Sequence, residues 1–79
     1  MPTIFVIDGY RFFFFSNEGT EPKHVHVEKA EKTAKFWLNP VMLVSNYKFN
    51  SSELRKIEGI IEERKDEIEV KWDEYFSIG

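Results

Sequence analysis

The spacing of apolar residues changes once along this chain. Strand-like runs fill the first part, and a helical period of three to four governs the last part. Thr3-Ile4-Phe5-Val6-Ile7 is β-branched and aromatic, Asp8-Gly9 follows, and Tyr10-Arg11-Phe12-Phe13-Phe14-Phe15 comes next. Asp-Gly between two such runs predicts a hairpin with a two-residue turn, because both turn positions require positive φ. That loop length sets the pairs Ile7–Tyr10, Val6–Arg11, Phe5–Phe12 and Ile4–Phe13. Phe5, Ile7, Tyr10, Phe12 and Phe14 then share one face, and Ile4, Val6, Arg11, Phe13 and Phe15 share the other. Both faces are apolar, so each needs cover from the chain or from a partner.

Residues 16–20 read as a loop, and Glu21 before Pro22 is pushed toward an extended conformation. Lys23 to Glu28 alternates, with Val25 and Val27 opposed to His24, His26 and Glu28. Ala34 to Asn39 alternates as well, with Ala34, Phe36 and Leu38 opposed to Lys35, Trp37 and Asn39. A turn at Ala30-Glu31 pairs Val27 with Ala34, Val25 with Phe36, His26 with Lys35 and His24 with Trp37. In that register apolar meets apolar and polar meets polar. Pro40 ends the strand, and Val41 to Asn46 is open between a short helix and a fifth strand, with one or two helical turns favoured.

Asn50, with Glu53 three residues on, predicts an N-cap and a capping box, and Phe49 against Leu54 is placed as a hydrophobic staple. Leu54, Ile57, Ile61, Ile68, Trp72 and Tyr75 form one helical stripe. Arg64 interrupts it; its stem is expected along the core with the guanidinium reaching solvent. The predicted fold is α+β in a single domain spanning 1–79. It has an antiparallel sheet of about four strands in two hairpins, a short helical segment after Pro40, and one long amphipathic C-terminal helix packed on the sheet through Leu54, Ile57, Ile61, Ile68 and Trp72.

Composition narrows the chemistry. A 79-residue chain lies near the lower size limit for folding on a hydrophobic core alone, and it has no cysteine for disulfides or thiolate metal sites. Its eight Phe, three Tyr and two Trp are the remaining internal source of apolar area, with oligomerisation as the external one. The opening MPTIFVIDG has no basic segment or apolar run of signal length, and Phe12–Phe15 is far too short to span a bilayer, so a cytoplasmic protein without membrane contact is expected. Residues 1–50 hold six Lys/Arg against five Asp/Glu, and residues 51–79 hold five against nine, giving +1 and −4 and the net −3. That balance lacks the footprint of a general nucleic-acid binder.

One face of the second hairpin gathers His24, His26, Glu28, Lys35 and Trp37, with Glu21 just upstream and Arg11 on the neighbouring hairpin. Imidazoles at i and i+2 of a strand point the same way, with Cα atoms about 7 Å apart. Such a pair suits divalent metal ligation with Glu21 or Glu28 as third ligand. It equally suits acid–base chemistry near neutral pH. With Lys35 and Trp37 it suits phosphate binding and base stacking. An ordinary solvated sheet face accounts for the same residues. No third metal ligand has firm spacing, no cofactor is implied, and no nucleophile motif or phosphate-binding glycine loop is visible.

The segments Glu21-Pro22-Lys23-His24-Val25-His26-Val27 and Ala34-Lys35-Phe36-Trp37-Leu38-Asn39-Pro40-Val41 are specific. Together with Glu53-Leu54, Trp72-Asp73-Glu74-Tyr75-Phe76, the opening Pro2-Thr3-Ile4 and Gly9-Tyr10-Arg11-Phe12, they make the chain resemble, over nearly its whole length, a family of small bacterial proteins catalogued as a domain of unknown function. Asn39 departs from the family pattern, where an acidic residue is commoner. The resemblance implies a neighbouring gene for a second small protein and a toxin–antitoxin-like pairing. The expected function is therefore a module that binds a protein partner or RNA through Arg11, Glu21, His24, His26, Lys35 and Trp37. If it is a toxin, metal-independent RNA cleavage is the fitting chemistry, with one His taking the 2′-hydroxyl proton, the other protonating the leaving oxygen, and Arg11 or Lys35 facing the phosphorane. The alternative is an interaction or homo-oligomerisation module without catalysis. The histidine face is expected to lie exposed, and the two apolar faces of the first hairpin to give self-association or an apolar docking surface that includes Phe13 or Phe15.

Overall fold

A computed structural model of the chain describes residues 3–15 and 20–76. Five strands form one antiparallel meander in the order of the sequence: β1 (Thr3–Ile7), β2 (Tyr10–Phe13), β3 (His24–Lys29), β4 (Lys32–Leu38) and β5 (Val41–Tyr47). Two helices follow, α1 (Ser51–Glu63) and α2 (Lys65–Phe76). Residues 16–19 of the expected loop lie outside the described residues.

The turns form where residue chemistry permits them. Asp8 and Gly9 adopt φ of 54° and 83° between β1 and β2, and Ala30 adopts φ of 56° between β3 and β4. The pairs Ile7–Tyr10, Val6–Arg11 and Phe5–Phe12 hold, but a bulge between Thr3 and Phe5 sets Thr3 opposite Phe13. Ile4, expected on the same face as Arg11 and Phe13, instead packs against the core. All four expected pairs of β3 with β4 are present.

The segment after Pro40 corrects the expected helical turn, and with it the four-strand count. Asn39 and Pro40 lie at a tight turn, and Val41–Tyr47 returns as a fifth strand opposite β4. A shift in pairing at Lys35/Phe36 leaves Val44 out of register, so the period-two pattern that marks a strand is broken within β5 itself.

The capping box is formed: Glu53 N–H donates to Asn50 Oδ1 at 2.8 Å, and Asn50 N–H donates to Glu53 Oε1 at 3.2 Å. Glu53 also accepts from Lys32 Nζ at 3.0 Å, tying β4 to the first turn of α1. That contact, and next the Asn50 N–H, hold the Glu53 carboxyl below its ordinary pKa, and the Glu53 contact raises that of Lys32. The single long helix is corrected to two, because Arg64 leaves helical geometry at φ −111° and ψ 19°. Hydrogen bonds from Arg64 N–H to Ile60 O and from Ile68 N–H to Arg64 O, both 3.0 Å, bracket the break. The Arg64 guanidinium lies 5.5 Å from the Phe5 ring centre and pairs with Glu67 at 3.2 Å, in keeping with a stem along the core and a head toward solvent.

Ile57, Ile61, Ile68 and Trp72 are buried with Phe12, Phe14, Val25, Val27, Phe36 and Leu38 in one cluster, with Leu54 partly buried against it. At the C-terminal end Phe76, rather than the expected Tyr75, continues the packed stripe; Tyr75 is exposed. Both helices thus serve one face of the sheet.

Candidate functional site

The pairing registers lay out the opposite, outward face as transverse rows, because paired residues of an antiparallel sheet point to the same side. One row runs Val6, Arg11, Glu28, Thr33, Tyr47, and the next runs Thr3, Phe13, His26, Lys35, Ser45. A third holds His24, Trp37 and Met42. Five of the six expected residues therefore come from three adjacent strands, and Glu21 joins them through an ion pair with Lys35 at 3.0 Å.

His26 is the centre. Its ring stacks on Phe13 at 5.5 Å between centroids, meets Phe15 edge-on at 4.5 Å, and meets His24 edge-on at 5.2 Å. Phe13 is buried by this company and by the Arg11 guanidinium 4.4 Å above its ring, whereas Phe15 is 37% exposed. Arg11 also donates from Nε to Thr3 Oγ1 at 2.8 Å and pairs with Glu28. Lys35 Nζ sits 4.9 Å from the centre of the half-buried Trp37 ring. A groove of about 260 Å³ runs over this ground, walled by Phe13, Phe15, His26, Lys35, Ser45 and Tyr47.

His24 corrects the expectation of two exposed imidazoles. It is 0% exposed. It begins β3, at the end of the sheet, where Trp72 of α2 approaches edge-on at 5.0 Å and Trp37 at 5.7 Å. Nδ1 lies 2.8 Å from the Pro22 carbonyl, which can only accept, so Nδ1 carries a proton there; Glu21 Oε1 lies 3.9 Å from the same nitrogen. Alternation alone assigns His24 to the outward side, but β3 begins at this residue, β2 pairs with it only as far as His26, and Trp72 of α2 reaches the His24 ring. Among the described residues no three His, Asp or Glu side chains gather as a metal site would require.

Sequence reasoning missed the β5 contribution. Ser45 and Tyr47 wall the groove and Met42 extends the third row. The β-branched and aromatic residues of Val41–Tyr47, following a tight turn at Asn39-Pro40, were the available signal.

Fold and face together define a class: a small α+β domain whose helices cover one side of an antiparallel meander while the other side keeps an aromatic, charge-balanced groove. The chain belongs to the family described as Domain of unknown function (DUF4160), which matches residues 9–73, from the first turn to within α2. Comparison with curated proteins and with solved structures finds no match. Among the described residues no helix is long and apolar enough to cross a membrane.

Proposed function

We propose that this protein is the binding module of a toxin–antitoxin-like pair and docks a second small protein on the outward face of its sheet. The observation that supports this most is the one-sided cover of the sheet. The helices pack on one face, and the other presents Phe15 and the half-buried His26, Lys35 and Trp37 around a groove. Aromatic anchors with a polar rim are the usual make-up of protein interfaces.

Charge favours a protein over RNA as the partner. Arg11 is paired with Glu28 and Lys35 with Glu21, so the face is close to neutral, whereas phosphate binding depends on surplus cation. Two-histidine RNA cleavage is disfavoured by burial, since His24 cannot reach a 2′-hydroxyl from a fully covered position. The test is calorimetric titration with the protein encoded by the neighbouring gene. Trp37→Ala combined with His26→Ala is expected to weaken binding by about tenfold or more, the effect of losing an interface anchor. Unchanged affinity, or salt-sensitive binding of an RNA oligonucleotide in place of the protein, would overturn the reading.

A further inference from the structure

The β5 edge carries a separate feature. Val41–Tyr47 contains no charged residue, and Met42, Leu43, Val44 and Tyr47 are 53%, 41%, 40% and 56% exposed. An edge strand presents a row of backbone N–H and C=O groups that another strand satisfies, and monomeric proteins guard such rows with charge, proline, bulges or cover; β5 carries the bulge at Val44 and no charge. At the opposite edge, Ile4 and Phe5 of β1 pack their side chains against the core and Arg64 lies over Phe5, whereas β5 carries its large apolar side chains exposed. Among the described residues nothing pairs with the outer edge of β5.

We propose that β5 pairs antiparallel with β5 of a second copy about a two-fold axis perpendicular to the sheet, doubling the five-stranded sheet with all helices on one side. The bulge dictates the register. Pairing with β4 places Met42, Ser45 and Tyr47 outward with Trp37, Lys35 and Thr33, and Leu43 and Asn46 inward with Phe36 and Ala34. Such an axis keeps each face on its own side, so outward residues must meet outward residues. Setting Met42 opposite Tyr47 of the second copy satisfies this, and it brings Leu43 opposite Asn46 and Val44 opposite Ser45. A slip of one residue in either direction sets outward against inward at these pairs. A two-fold axis also brings like segments together, and a strand without charge meets its own copy without repulsion. The paired edge closes as a dimer, whereas β5 joined to β1 of the next copy would run on as an open array.

Sedimentation equilibrium of the whole chain tests this. The wild type is expected at twice the 9.4 kDa of one chain. Met42→Lys with Tyr47→Lys sets lysine against lysine at both symmetry-related pairs and should halve the mass, with circular dichroism showing the fold retained. Met42→Lys with Tyr47→Glu sets opposite charges at those pairs and should restore the doubled mass. A wild type of single-chain mass, larger open assemblies, or two variants that behave alike would each overturn the proposal.

Discussion

Ile61→Ala probes the joint between helix and sheet on which the one-sided architecture depends. Ile61 is 0% exposed and belongs to the same buried cluster as Phe12, Val27 and Phe36. Truncation removes three side-chain carbons, worth about 0.8 kcal/mol each in lost burial, or about 2.4 kcal/mol together. A residual cavity of about 50 Å³ would add about 1.2 kcal/mol at the usual cost per unit volume. The expected loss is therefore about 2.5–3.5 kcal/mol. Against a total of about 4–12 kcal/mol for a domain of this size, that is a large share. Urea unfolding followed by the fluorescence of the buried Trp72 measures it, with Val6→Ala as the control. Val6 is 59% exposed on the outward face and should move stability by about 0.5 kcal/mol or less. A loss below about 1 kcal/mol for Ile61→Ala, or equal losses for both, would refute helix packing on this face as the main source of stability.

His24→Ala should destabilise by about 2–4 kcal/mol because a buried, hydrogen-bonded ring leaves a cavity, and His26→Ala by about half of that, as thermal or urea unfolding would show. Glu53→Gln keeps a side chain able to reach Asn50 N–H but removes the charge facing Lys32. The depressed folded pKa of Glu53 means that this contribution is present above the unfolded value of 4.5 and is lost as pH falls through the folded one. The raised pKa of Lys32 places the alkaline loss above 10.5, so the stability gap between wild type and variant should be flat across neutral pH and close in acid; a gap that persists in acid would contradict this.

Both hairpins and the capped helix start were legible in local chemistry. Asp8-Gly9 fixes a turn, matched alternation fixes the β3–β4 register, and Asn50 with Glu53 fixes the beginning of α1. What escaped depends on contacts distant in sequence. β5 is an edge strand with a bulge at Val44, so neither strict alternation nor a continuous buried run marks it. The break at Arg64 keeps the apolar spacing of Ile61 and Ile68 intact, so periodicity alone runs through it. Parity placed His24 outward correctly as a strand position, but α2 approaches the end of the sheet and Trp72 covers the ring. The candidate face was therefore legible as a set of residues, and its centre shifted from a histidine pair to His26 among Phe13, Phe15 and Lys35.

Docking on the outward sheet face, as proposed above, has a spectroscopic signature. Backbone amide NMR shifts, recorded as the proposed partner protein is added, locate the contact residue by residue. Docking there should concentrate the perturbations on Phe13, His26, Lys35 and Trp37, with the exposed sides of α1 and α2 unchanged. Shifts confined to the helices, or no shifts at all, would contradict it.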